Sequence, residues 1–582
     1  MSIRTDSEET APTETGTPAG PSGDRIREEV VPKGNRPYWP VFIPAAVIIG
    51  LFVIIAAVGG GPFSEWITNL NSYVTNGIGW YYVLIVTCFV IFSVVVAVSP
   101  LGRIKLGKDD EEPAYGTLSW IAMLFAAGMG IGLVFWGAAE PLNHLASPRP
   151  DLAGAAPGAL AQQALTQTFL HWGVHAWAIY AVVGLGVAYA VHRRGRPVSI
   201  RWALEPLLGT RVVKGFWGHV IDVAAIVGTL FGVASSLGLG VAQIAAGLAH
   251  IGLLPDSEIV QLVLVVGITA LATLSVLSGL DKGIKWLSNI NMVLAAALVL
   301  VVLAVGPTLF VLREMVQTIG LYIQQFIGLS FATLPYQGTN GEEWLGGWTT
   351  YYWGWWMAWA PFVGVFIARI SRGRTVRQFV VGVLLVPTLM TALWFSVIGG
   401  TALWQEVAGG GGLIIDGAVS TNTALFDMLS RLPGGALLSG LAILLVMIFF
   451  VTSSDSGSFV VDMISHGGDE NPPVWSRVFW AAMEGAIALV LLWAGYRAGT
   501  EGLGLSSLQA MTIIAAAPFS VVMIGICISL WKALSRDLAQ RRRIEENVFR
   551  REVTLEVAEA LAEDDADPAP TRTGSRAVPR NG

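Results

Sequence analysis

The chain has 582 residues, 54% of them hydrophobic and only 13% charged, about half the charged share of a soluble domain. Its two cysteines, Cys88 and Cys527, lie in separate apolar runs, which argues against a disulfide framework or a thiolate metal site. Apolar stretches long enough to cross a bilayer recur along the length, so the sequence reads as an all-α polytopic membrane protein.

Residues 1–36 are polar and rich in Thr, Gly, Pro and Glu, which reads as a disordered tail with no cleavable signal peptide. Hydropathy then places twelve spans near 38–60, 79–99, 117–139, 168–191, 217–244, 258–278, 286–311, 349–370, 378–403, 434–454, 474–495 and 508–532. With the N-terminal tail inside, the inner loops collect fifteen Lys and Arg residues against four outside, so both termini are expected in the cytoplasm of a cell-membrane protein. Between the seventh and eighth spans, Glu314–Phe331 is apolar at helical spacing and is expected along the membrane surface. Residues 37–535 thus form the membrane domain. Residues 536–582 form a cytoplasmic tail that opens with basic Arg541, Arg542 and Arg543 and ends acidic at Glu563, Asp564 and Asp565. That tail reads either as an ordinary charged helix or as a regulatory arm that senses anionic lipid.

Four segments carry chemistry. The third span contains Gly128, Gly130 and Gly132, and each glycine costs a helix interior about 1 kcal/mol relative to alanine. Their spacing of two predicts a local break that frees backbone carbonyls in mid-membrane, as a desolvated Na⁺ requires. The fourth span supplies Trp172, Trp177 and Tyr180, with His171 and His175 spaced i,i+4 but lacking an evident third metal ligand. Six tryptophans crowd residues 344–359, where the chain-wide rate predicts fewer than one, and Trp344 and Trp348 read as outer-interface aromatics. Of these, Trp355, Trp356 and Trp359 fall within about 100° of one another on a helix. Such indoles serve as an interface belt, a packing surface or a cage for a cation without donors. The tenth span is predicted to end in the hydroxyl cluster Thr452, Ser453, Ser454 and Ser456. Hydroxyls of this kind usually bond back to their own helix, and the alternative is an oxygen shell for an ion. Among ionisable residues, Glu140 before Pro141 is expected to fix a helix end, Asp222 to pair with an arginine, and Glu484 to be the most buried carboxylate.

Together these segments resemble the betaine/choline/carnitine transporter family, closest to its sodium-coupled glycine betaine carriers. The carrying residues are Gly128-Met-Gly-Ile-Gly-Leu133 with Phe135-Trp136 and Glu140-Pro141, the segment His171–Tyr180, and the long run Trp353–Arg374. The resemblance covers roughly residues 35–535. It implies a leucine-transporter-like core of two inverted five-helix repeats, spans 3–7 and 8–12, preceded by two extra helices, with substrate and ion sites between the repeats. It further implies an aromatic box of Trp172, Trp177, Tyr180 and Trp356, with Trp355 and Trp359 along the substrate path. One sodium site is implied at Ala126, Met129, Phe449, Thr452 and Ser453. A second is implied at Thr229 and Phe362, but Val233 stands where the family has a threonine and offers no side-chain oxygen. Gly132, where proton-coupled choline relatives carry aspartate, favours sodium coupling and a compact betaine.

A trimethylammonium head donates no strong hydrogen bond, so indole and phenol faces suit it. The carboxylate of a zwitterion needs donors, expected near Ser235 and Ser236. The function implied is secondary active import of glycine betaine with sodium by alternating access, in a homotrimer. Ectoine, proline, choline or carnitine, carried by sodium-independent exchange, is the runner-up. A polytopic membrane enzyme would need a His/Asp/Glu/Cys cluster at one depth, which seven scattered histidines do not supply. A channel is opposed by the absence of a repeated pore loop. No nucleic-acid partner is implied.

Overall fold

The structure is a computed structural model and describes residues 31–32, 36–128, 130–277, 281–500 and 502–566. The N-terminal tail other than 31–32 and 36, Met129 of the expected sodium site, and the C-terminal residues 567–582 lie outside it. The chain folds into long helices: α1 Trp39–Val98, α2 Thr117–Gly128, α3 Ile131–Ala146, α4 Pro157–Trp172, α5 Val174–Ala188, α6 Phe216–His250 and α7 Glu258–Leu277. There follow α8 Asp281–Val305, α9 Thr308–Ser330, α10 Tyr351–Ile370, α11 Val376–Val407, α12 Gly435–Ser465, α13 Val474–Ala498 and α14 Leu503–Ala566. A two-residue hairpin pairs Ile414 with Val419 and Ile415 with Ala418.

The protein is a polytopic helical membrane protein. Among the described residues nine helices are long and apolar enough to cross a membrane, and physical reasons reconcile them with the twelve expected spans. Helix α1 has 60 residues, about 90 Å at 1.5 Å per residue, three times a bilayer core. It kinks at Gly60, whose φ of 52° and ψ of −136° are open to a residue without Cβ, so it holds the first two spans. The third span is broken by its glycines into α2 and α3, as their spacing predicts, each too short to span alone. The eighth span is α10, in which tryptophan, tyrosine and glycine replace much of the usual aliphatic content.

Two other boundaries differ from expectation. The hydroxyl cluster does not end its helix: α12 runs on to Ser465 because Ser454, Asp455 and Ser458 are buried against neighbours. Helix α14 has 64 residues and carries the start of the C-terminal tail outward as one continuous helix. Its base is tied down where Arg193 bonds Asp537 and Arg541 pairs with Asp109. The expected partner of Asp222 is Arg201, whose Nε lies 3.1 Å from its carboxylate.

Candidate functional site: an aromatic cavity at two helix breaks

The site is built where two helices stop and restart. At Gly130 the backbone is extended (φ −163°, ψ 179°) between α2 and α3. At Gly173 (φ −97°, ψ −137°) α4 gives way to α5. A Cβ at Gly173 would stand 2.4 Å from the Phe169 carbonyl oxygen, so only glycine closes this turn. The second break sets Trp172 at the end of one helix and Trp177 and Tyr180 near the start of the next.

A narrow cavity of about 40 Å³ lies between these breaks and α10. Gly130 and Gly132 line it together with all six expected aromatics: Trp172, Trp177, Tyr180, Trp355, Trp356 and Trp359. Trp172 meets Trp356 edge to face with centroids 4.9 Å apart, and Tyr180 meets Trp356 at 6.2 Å. Trp177 crosses Tyr180 at 5.3 Å, and Trp355 stacks on Trp356 at 4.7 Å. A Cβ at Gly132 would stand 2.5 Å from the Trp355 ring and 3.1 Å from that of Trp172, so any side chain there would intrude on the indoles.

The indole N–H groups of three of these rings are bonded away from the cavity. Trp356 Nε1 donates to the His171 carbonyl at 2.8 Å, Trp172 Nε1 to Glu140 at 2.6 Å and Trp355 Nε1 to Ser236 Oγ at 3.3 Å. Trp359 Nε1, in contrast, is buried without a hydrogen-bond partner among the described residues. Ser236, expected to meet a substrate carboxylate, accepts from Trp355 Nε1 and donates to the Gly232 carbonyl. Neither Ser235 nor Ser236 is among the lining residues.

The residues expected around a sodium ion meet in a second space. A vestibule of about 730 Å³ is lined by Ala126, Phe362, Phe449, Thr452 and Ser453, and shares Trp359 and Val363 with the aromatic cavity. It also reaches Tyr115 and Ser119, at the end of the molecule that carries Arg372 and Arg374. Thr452 Oγ1 bonds back to the Ile448 and Phe449 carbonyls, the common behaviour of a hydroxyl within a helix. Thr229 Oγ1 is buried without a hydrogen-bond partner among the described residues, and Val233 packs where a Cβ on Gly457 would stand 3.0 Å away.

Glu140 is the residue that sequence reasoning misplaced. It lies inside α3, fully buried, and does not end a helix. Its Oε2 accepts from Trp172 Nε1 at 2.6 Å and from the Tyr352 hydroxyl at 2.5 Å. Its Oε1 is 2.7 Å from His171 Nδ1 and 3.3 Å from His144 Nε2. Ligand atoms of Glu140, His144 and His171 lie within 4.8 Å of one another, so His171 does have close potential co-ligands, but His175 is not one of them. His175 bonds Ser330 at 2.9 Å and stacks on Trp353. The one local signal was the Glu140/His144 spacing of four on an apolar helix. Trp344 and Trp348, which read as interface aromatics, pack instead on the His144 ring, at 5.6 and 4.3 Å.

Comparison with known proteins points the same way as this geometry. The betaine/carnitine/choline family of transporters matches residues 40–539. An uncharacterized transporter of Mycobacterium tuberculosis is 51% identical over 505 residues, covering 87% of this chain and 84% of that one. The glycine betaine transporter OpuD of Bacillus subtilis is 45% identical over 82% of this chain and 90% of its own. Glycine betaine transporter 1 of Vibrio parahaemolyticus is 44% identical, over 86% and 94%.

Proposed function

Because the chain belongs to the betaine/carnitine/choline transporter family, whose members are transporters and not enzymes, we propose that it imports glycine betaine, driven by a sodium gradient. The observation that carries this reading is the cavity in which Trp172, Trp177, Tyr180 and Trp356 meet, with the indole donors of Trp172 and Trp356 bonded elsewhere. A quaternary ammonium group offers no proton to an acceptor and is attracted by ring quadrupoles, with up to about 2 kcal/mol per desolvated contact. The names of the relatives in Bacillus subtilis and Vibrio parahaemolyticus support glycine betaine within this substrate class.

Sodium would bind where the carbonyls freed by the break after α2 face Thr452 and Ser453, with Ala126, Met129 and Phe449 contributing backbone oxygen. For this the Thr452 hydroxyl would turn its lone pairs to the ion while still donating to its own helix. The apolar Val233 near Thr229 supports one sodium ion per cycle over two. With the basic loops inside, the vestibule opens to the cytoplasm, and the arrangement fits the inward-facing half of an alternating-access cycle. A homotrimer and contact of the C-terminal helix with anionic lipid complete the proposal.

The test is uptake of radiolabelled glycine betaine into proteoliposomes. Accumulation that requires an inward sodium gradient is expected. Uptake equal with and without sodium would remove the coupling, and no uptake of any quaternary ammonium solute would remove the substrate class.

A further inference from the structure

The carboxylate behind the aromatic wall has no assigned role. We propose that Glu140 is the fixed counter-charge of the cavity: a positioning residue that holds Trp172 by its indole N–H and biases the site toward a cationic head over a neutral one of the same shape. This rests on the reading of the cavity given above.

The hydrogen bonds define the charge. Four groups from α3, α4 and α10 converge on two oxygens: Trp172 Nε1 and the Tyr352 hydroxyl donate to Glu140, and His171 Nδ1 and His144 Nε2 lie within hydrogen-bond distance of it. An ionised carboxylate accepts four such bonds, whereas a protonated one must itself donate. With Nδ1 donating to Glu140, His171 Nε2 is left to accept from the Thr349 hydroxyl or the Gln167 amide, the arrangement of a neutral ring. The ion-pair partners of Glu140 among the described residues are only the two histidines.

The position defines the effect. Glu140 is not itself among the residues lining the cavity, but Trp172 is, and the same indole touches both. A cation in the cavity therefore meets the carboxylate across one aromatic ring and not in direct contact. Donation of the N–H to an anion raises electron density in the indole and strengthens the attraction of its face for a cation. The charge also acts through space, in surroundings with little water to screen it. Direct contact would attract small inorganic cations as well. The indole between them keeps the attraction but denies them a ligand.

The experiment compares glycine betaine with 3,3-dimethylbutyrate, its isostere with a neutral quaternary carbon in place of nitrogen, by binding to purified protein. In Glu140→Gln the preference for betaine over the isostere is expected to fall about tenfold or more. In Glu140→Asp, which keeps the charge but shortens its reach, betaine binding weakens while the preference stays within about threefold of wild type. A preference unchanged in Glu140→Gln, or lost equally in both variants, would overturn the proposal and leave Glu140 a packing residue. If Glu140→Gln does not fold, loss of the preference in Glu140→Asp alone overturns it. Wild-type protein with no saturable betaine binding would instead overturn the reading of the cavity itself.

Discussion

Glu140 and Glu484 are both fully buried carboxyl residues on apolar helices, yet their surroundings are opposite. Glu140 is met by two donors, Trp172 Nε1 and the Tyr352 hydroxyl, and by two histidine nitrogens. Among the described residues Glu484 is met by one donor, Ser454 Oγ at 2.9 Å, and its Oε1 is buried with no hydrogen-bond partner. Instead it faces Gly457, where a Cβ would stand 3.3 Å from Oε1 and 3.0 Å from Val233. A buried acid is thus defined by the donors that other segments bring to it. Neighbours in sequence say little. Sequence reasoning gave Glu140 only a helix end to fix, because three of its four partners lie 31, 32 and 212 residues away.

The same substitution at both positions breaks or sharpens this contrast. Glutamine at 140 would turn an amide N–H₂ toward at least one donor whichever way it faces, leaving buried groups unpaired at about 1–3 kcal/mol each. Its melting temperature in detergent is expected to fall by several degrees. Glu484→Gln keeps the shape and an acceptor for Ser454, so its stability is expected within about 0.5 kcal/mol of wild type. Equal losses at both sites would erase the distinction drawn here.

The next largest effect belongs to the cavity wall. Trp356→Ala removes one ring face, and its betaine affinity is expected to fall about thirtyfold, the equivalent of one desolvated cation–π contact. Titration calorimetry that returns wild-type affinity would exclude Trp356 from the box. A smaller effect is expected in the vestibule, where Thr452→Ala combined with Ser453→Ala should shift the sodium concentration for half-maximal uptake upward while betaine affinity at saturating sodium is retained. An unchanged sodium response would remove these hydroxyls from the ion site.

The smallest expected effect lies at the base of α14. Burial pushes the Asp109 carboxyl up, but Arg193 and Arg541 outweigh it and hold it below the usual carboxylate range. A depressed acid contributes stability that is present above its unfolded-state pKa and is lost as pH falls through the folded-state value. Asp109 is half exposed, so water and salt screen the contact. Hydrogen exchange at the base of α14 is therefore expected to rise modestly in acid and in Asp109→Asn at neutral pH, with no change in betaine binding. Protection that does not respond to either would show that Asp109 does not hold the helix.

Much of the fold was legible because bilayer-length apolar runs and basic loops are local signals. The break at Gly130 was legible too, since alternating glycines weaken a helix wherever they occur. The cavity was legible in pieces: the ring-bearing segments stand out by composition, but only family resemblance joined Trp172 to Trp356 across 184 positions. Two features were not legible. The run Thr452–Ser456 reads as a polar helix end, yet neighbours bury Ser454 and Asp455 within it and α12 continues. Trp344 and Trp348 read as interface residues by their place before a span, yet His144 from α3 receives both rings.

The most direct test of the account is the structure of the protein with glycine betaine bound. The account predicts the trimethylammonium group enclosed by the faces of Trp172, Trp177, Tyr180 and Trp356, with Glu140 still bonded to the Trp172 indole behind it. A head group seated elsewhere, or one in direct contact with a carboxylate, would contradict it.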